Sequence, residues 1–521
     1  MERCQTTTGG ASLITILPAA AGSSSAEDGP SSFARSHACF EEVVGWARGE
    51  EAAGLTHGEL EEQLEVKGRD LLRTLLQDHV DLRAQRERRQ EGIVGADGVA
   101  RNSVEDGHRR ALRSVFGMVT ITRQAYRQKG HANLHPADVA LNLPLERHSH
   151  GLRRLAAVEA ARGSFEEVRE SIERSTGERL GKRQIEAMVE RAAADFDAFY
   201  TERPRSSGDP GDTLVLTCDG KGIVMRPQAL RAATAEAAEQ ASHKLQTRLS
   251  PGEKRNRKRM AEVGGVYDAA PAPRTSVDVL ASRAQGHKVA PAPVARNKWL
   301  IASVVENAAT VVSRVFDEAE RRDPGHRRTW VVLVDGNNHQ IDRIQAEARK
   351  RKVKVAIVVD FIHVLEYLWL AARCFFEDDT EAEAWVLDKA LEILDGHAGL
   401  VAGAIRRKAT YHRLNPADRA GADRCADYLT NKVPHLKYAT ALERGWPIAT
   451  GVIEGACRHL VKDRMDVTGA RWGLDGAEAV LRLRALVANG DFNDYWRFHL
   501  SREQERVHLV RYASNALPIA A

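Results

Sequence analysis

Asp219, Asp335, Asp360 and Glu454 stand at the edges of ordered elements, in TLVLTCDGKGIVMR, TWVVLVDGNNHQIDRIQ, KVKVAIVVDFIHVLEYLW and WPIATGVIEGACRHLVKDR. Carboxylates so placed can meet divalent cations at the rim of a sheet. Cutting a phosphodiester at neutral pH needs a strong nucleophile and relief of charge on the phosphate, and two magnesium ions held by acids from separate elements provide both. Magnesium takes oxygen ligands and keeps several waters, so this chemistry requires neither a histidine nor a cysteine cluster.

Each acid also has a plainer reading. Asp-Gly, at Asp219-Gly220 and Asp335-Gly336, is a common turn dipeptide; two such pairs ending strands of one sheet say more than either alone. Glu454 precedes Arg458 and Lys462 at i+4 and i+8, which reads as a surface ion-pair ladder or as one acid for metal beside a basic strip for phosphates, extended by Arg464 and Arg471. Asp360 and His363 form a D-x-x-H pair after a strand. There His363 reads as a hydrogen-bonding residue, and Asp360 stands beside Asp335 as the alternative second acid.

The elements that must position these acids follow from pattern. Thr213–Thr217, Gly264–Tyr267 and Ser276–Leu280 read as short strands of a meander with a long insertion, in which Lys254, Arg255, Arg257, Lys258 and Arg259 cluster. Trp299–Glu320 has helical periodicity. Trp330–Val334 and Val353–Val359 are buried-type strands around a basic helix, Gln340–Lys352, and a helix from Val364 to Phe376 follows. A meander followed by strand, helix, strand, helix implies a mixed sheet with right-handed crossovers, the element order of a ribonuclease-H-like fold. Residues 377–445 are predominantly helical and precede the Glu454 segment. Asp475 with Glu478 reads as a cap opening the last helix.

Upstream, Thr56 and Glu59 form a capping box, and Val115–Arg127 alternates as a strand or hairpin does. Within 165–195 two amphipathic stretches meet at Thr176-Gly177, a helix-turn-helix candidate with Lys182, Arg183, Gln184 and Arg191 on the outer face of its second helix; an ordinary helical hairpin has the same pattern. The Pro/Ser/Gly/Asp stretch 204–211 is the best domain boundary.

The 521 residues suffice for several domains, and 43% hydrophobic with 28% charged residues is the balance of a globular protein. The longest apolar runs are far short of the roughly 18 residues of a membrane span. Net charge is +4 with arginine runs between acidic helices, so local basic patches carry more meaning than the total. Six cysteines without a CxxC spacing indicate neither a zinc ribbon nor a disulfide framework, and point to a reducing cytoplasm.

CDGKGI, VDGNNHQ, VVDFIHVLEYLW and above all GVIEGACRHLVKDRMDVTGARWGLDGAEAVLRLRAL resemble bacterial insertion-sequence transposases of the DDE superfamily, of the ISKra type. The stretch G-x-V-x-I-x-R-x-x-Y followed by LHPADVALNLPLERHSHGLRR carries the resemblance towards residue 100. It implies an α/β ribonuclease-H-like catalytic core with an all-helical insertion, preceded by a mainly helical amino-terminal DNA-binding region. The expected organisation is a disordered tail at 1–36, the helical region at 37–202, the core at 211–376 and 446–500 around the insertion at 377–445, and a tail at 501–521.

By motif, Asp219, Asp335 and Glu454 would be the catalytic acids and the ligands of two Mg2+ ions, for which Mn2+ can substitute. Asp360 and His363 would be accessory. Lys182, Arg183, Arg191, Lys254, Arg255, Arg257, Lys258, Arg458 and Lys462 would contact DNA. The partners implied are double-stranded terminal repeats, target DNA and a second copy of the chain, in a cytoplasmic, nucleoid-associated protein without a membrane partner. The competing readings are a transposase-derived DNA-binding regulator that no longer cuts, and a structure-specific nuclease on the same fold.

Overall fold

A computed structural model describes residues 32–204, 208–240, 257–280, 289–467 and 469–517. Its centre is a five-stranded mixed sheet of β3 (Thr213–Val224), β4 (Lys258–Ala269), β5 (Ala295–Ser303), β6 (Trp330–Val334) and β7 (Val355–Val359), in the order β5-β4-β3-β6-β7. β3, β4 and β5 pair antiparallel, whereas β6 lies parallel to β3 and β7 parallel to β6. The Ala308–Arg322 and Asn338–Arg351 helices make the crossovers. Every residue of β6 is buried, as the run WVVLV requires of a strand covered on both faces.

Four local expectations change. β3 does not stop at Thr217: Gly220, Lys221 and Gly222 stay extended because Glu262, Ala261 and Met260 pair with them, so Asp219 lies within the strand and Asp-Gly is no turn. Ser276–Leu280 is a short helix, opened by Thr275 and Asp278 in reciprocal hydrogen bonds. Trp299–Ser303 belongs to β5, and the helix starts only at Ala308, where the Asn307 side chain accepts from the Thr310 amide at 2.9 Å. Glu478 does not cap the Leu474–Ala488 helix. It is buried, and accepts from the Ser303 hydroxyl and the Val304 amide at 3.0 and 2.9 Å.

The insertion is helical, with helices Asp379–Leu394, Ala398–Tyr411, Ala420–Lys432 and Tyr438–Glu443. Gly421 lets the third of these lie against the Phe361–Ala372 helix, since a Cβ there would come within 2.4 Å of the Leu370 carbonyl oxygen. Tyr438 donates to the Val359 carbonyl at 2.8 Å, which fastens the insertion to β7.

The helices His150–Arg162, Phe165–Thr176, Lys182–Ala192 and Phe196–Glu202 share one continuous core with the sheet, from Leu152 through Leu214 to Trp496. The helix-turn-helix candidate is therefore packed on the sheet's own core through Val168, Ile172, Ile185 and Val189. Gly177, at φ 71°, ends its first helix.

β1 (Ser103–Ser114) and β2 (Gly117–Arg127) form the expected hairpin, extended by a strand ahead of Val115, and the Thr56–Glu59 capping box opens the His57–Gln85 helix. Helical structure crosses both expected tail bounds, at residue 36 and at residue 501. Residues 1–31 lie outside the described residues, but a helix spans Ala34–Arg48, held where the Ser36 amide and the Arg35 guanidinium donate to buried Asp78 at 2.9 and 2.7 Å. At the other end the Phe492–Val507 helix buries Glu503, and Tyr512 enters a small core with Ile93, Tyr126 and Leu134. Among the described residues no helix is long and apolar enough to cross a membrane.

Candidate active site

Asp219 projects from the middle of the sheet. Thr217 pairs with Leu333 in parallel register, so Asp219 and Asp335 sit two residues beyond that pair on neighbouring strands, the second in the loop after β6. Both line one cleft of about 290 Å³, with Glu262 of β4 and Gln340 and Arg343 of the Asn338–Arg351 helix. One Asp219 oxygen takes the Gly220 amide at 2.6 Å, and the other takes the Cys457 thiol at 3.3 Å. Asp335 Oδ1 accepts from the Asn337 amide at 2.8 Å. Gly336, at φ +94°, makes the turn between them, and a Cβ there would press within 2.7 Å of the Tyr428 hydroxyl.

Glu454 is exposed on a Gly451–Ala456 helix that continues as a π-turn over Cys457–Lys462. Ile453, Cys457, Leu460 and Val461 form its buried side. The Thr450 hydroxyl lies 3.0 Å from Glu454 Oε1 and is also bonded to Asp360 Oδ2. Glu454 stands outside the lining of the cleft and is joined to Asp219 through its own helix, by Cys457. Among the described residues, no three His, Cys, Asp or Glu side chains gather closely enough to enclose a metal ion.

The two candidates for the second acid differ sharply in surroundings. Asp360 is fully buried at 0% exposure. It caps the Phe361–Ala372 helix by accepting from the Ile362 amide at 2.8 Å, and its second oxygen is held by Thr450. Asp335 is half-exposed at the cleft. His363 Nδ1 lies 2.9 Å from Glu366, not on Asp360. Burial pushes the His363 imidazole down, but the Glu366 hydrogen bond and the charges of Asp360, Glu366 and Asp335 outweigh it and leave the group above its ordinary value.

Two features escaped the sequence. Glu262 faces the cleft from an apolar-looking strand, and burial raises its carboxyl above the ordinary range despite the nearby Arg343. The signal was one acid on the inward-alternating face of β4, opposite Gly220. The insertion also reaches the Asp335 loop. Tyr428 donates to the Asp335 carbonyl at 3.2 Å, and buried Lys432 bonds the Asn338 side chain. Burial lowers the Lys432 ammonium, against the charges of Asp335 and Asp342.

The basic residues scatter. Lys182 pairs with Glu166 and Arg191 with Glu146 and Glu503, while Arg183 is exposed. Lys254 and Arg255 lie outside the described residues. Lys258 opens β4 beside Arg257. Arg458, 3.7 Å from Asp463, and Lys462 are exposed along the Glu454 helix. Trp446 and Trp472 are core residues, each beneath a guanidinium, Arg444 and Arg464 respectively.

No protein-family model matches the chain, and no curated protein matches it significantly.

Proposed function

We propose that the chain is a DDE transposase that cuts DNA at insertion-sequence ends and transfers the freed 3′-hydroxyl to target DNA, on a ribonuclease-H-like core. The observation that carries this reading is the pairing of Asp219 and Asp335 on adjacent parallel strands over one cleft, with the Glu454 helix fastened to Asp219 through Cys457. A sheet of three antiparallel strands flanked by two parallel ones, with helical crossovers and a helical insertion before the third acid, supports the fold part of the reading.

The donor set fits a hard divalent cation. Its oxygens are carboxylate oxygens, and the one contact on Asp219 from another element is a thiol, a weak donor that a cation can displace. Gln340 Oε1, at the same cleft, is buried without a hydrogen-bond partner, an acceptor suited to a metal-bound water. Asp219 and Asp335 would hold the ions from the cleft, and Glu454, outside its lining on the adjoining helix, would serve as the third acid; the ions' chemistry when bound is to activate the attacking oxygen and offset phosphate charge.

The chain's own residues do the rest. Gln340 donates to the Cys218 carbonyl at 2.7 Å, setting the helix that presents Arg343 to the cleft. Thr450 orients Glu454 and joins it to Asp360, so Asp360 acts on the site as a positioning group. Arg458 and Lys462, exposed past Glu454, would meet backbone phosphates, with affinity falling as salt rises.

The test is magnesium-dependent cleavage and joining on a labelled element-end duplex. Loss of both activities in Asp219→Asn, Asp335→Asn and Glu454→Gln, with DNA binding kept, supports the reading. Cutting without joining favours a structure-specific nuclease, and binding without cutting a transposase-derived regulator.

A further inference from the structure

A second pocket, of about 320 Å³, opens where the chain leaves the Glu454 helix. Arg464, Arg226 and Arg471 line it from one set of segments, and Glu186 and Glu190 from the Lys182–Ala192 helix. None of these five charges forms an ion pair with another described residue. Arg464 is the unusual member. It is only 4% exposed, sits over the rings of Trp472 and Phe165 at 4.7 and 5.5 Å, and spends one donor on the Ala160 carbonyl at 3.3 Å. Its Nη2 is buried with no hydrogen-bond partner.

A buried guanidinium nitrogen without an acceptor is costly, and a ligand that brings one relieves the cost. A phosphate alone does not suit this place, because Glu186 and Glu190 share the pocket and burial already raises the Glu190 carboxyl, with Asp475 and Glu186 adding to the effect. The ligand that suits unpaired arginines and unpaired glutamates together has an acceptor edge and a donor edge on one flat body. Phe165, Val467 and Ala470 supply the apolar wall for such a body.

We infer that this pocket receives an unpaired guanine base, its O6 and N7 accepting from Arg464 and its N1–H and amino group donating to Glu186 and Glu190. Guanidinium to O6 and N7 of guanine is the pairing that geometry favours, and among the four bases guanine alone sets two adjacent donors on the edge that would face the carboxylates. The pocket adjoins the strand of Asp219, since the Arg226 amide donates to the Trp472 carbonyl at 2.8 Å just past the end of β3. That it holds a base of the DNA being cut rests on the function proposed above; that it binds guanine does not.

Titration calorimetry with 5′-guanosine monophosphate tests it on the full chain, with the adenosine, cytidine and thymidine monophosphates and inorganic phosphate as comparisons. Saturable binding at least about tenfold tighter for the guanine nucleotide is expected, the discrimination of one bidentate pair. Glu186→Gln with Glu190→Gln, exchanged on a helix surface, should remove that preference, and Arg464→Lys should weaken binding. Asp219→Asn should leave it unchanged, which separates this site from the cleft. Equal binding of all four nucleotides and phosphate, binding untouched by the glutamate exchanges, or no saturable binding at all would each overturn the assignment.

Discussion

The Cys457 thiol donates to Asp219 Oδ2 across 3.3 Å, so the helix that carries Glu454 is tied to the strand that carries Asp219 by a single side chain one turn further on. Burial, with the charges of Asp219 and Glu454 beside it, pushes this thiol far above its ordinary range and keeps its proton in place. Reaction with iodoacetamide requires thiolate. In the native protein at mildly alkaline pH, Cys374 should therefore be alkylated well before Cys457, as read by peptide mass mapping. Equal labelling would mean the Cys457–Asp219 contact is not kept in solution.

The roles of Asp335 and Asp360 separate by what each loss damages. Asp335→Asn should weaken magnesium binding by at least about tenfold, the lower end of the range seen even for groups one shell from a metal, with little change in stability. Asp360→Ala removes a buried cap and its bond to Thr450, and should cost stability first. Calorimetric metal titration beside urea unfolding decides it, and the reverse pattern would make Asp360 the second acid.

Thr450→Val keeps the shape and deletes the hydroxyl shared by Asp360 and Glu454. A buried carboxylate oxygen then loses its partner, for which about 1–3 kcal/mol of unfolding free energy is expected. Thr450→Ser should recover most of it. An unchanged urea midpoint in the valine variant would show that the two acids do not depend on this hydroxyl.

Glu503 and Arg153 are both about 1% exposed and meet at 2.6 Å. Burial opposes the charge of Glu503, but Arg153, Arg506 and Arg191 hold its carboxyl down to about 2, from an ordinary 4.5. A depressed folded-state value means that the unfolded chain binds the proton first. The contribution is then complete above pH about 4.5 and is lost as pH falls towards about 2. Glu503→Gln should flatten stability against pH in that window and, by leaving buried Arg153 with Glu146 as its one remaining carboxylate partner, destabilise at neutral pH by about 1–3 kcal/mol. A variant curve parallel to the parent's would contradict the assignment.

Pattern alone located the buried strand Trp330–Val334, a second strand expected at Val353–Val359 and found at Val355–Val359, the helical run within 377–445 and the Thr56 cap, because local periodicity and capping chemistry are written in neighbouring residues. It misjudged β3 at Asp219-Gly220, the strand at Trp299 and the helix at Ser276, because an extended segment is decided by the strand it pairs with, as Glu262 and Val266 do here. Nothing in the order of residues says that Glu262 joins Asp219 at one cleft, that Asp360 is sealed beneath Thr450, or that Glu503 returns across more than three hundred positions to Arg153. Those are choices of burial and long-range packing, and they exist only once the chain has closed on itself.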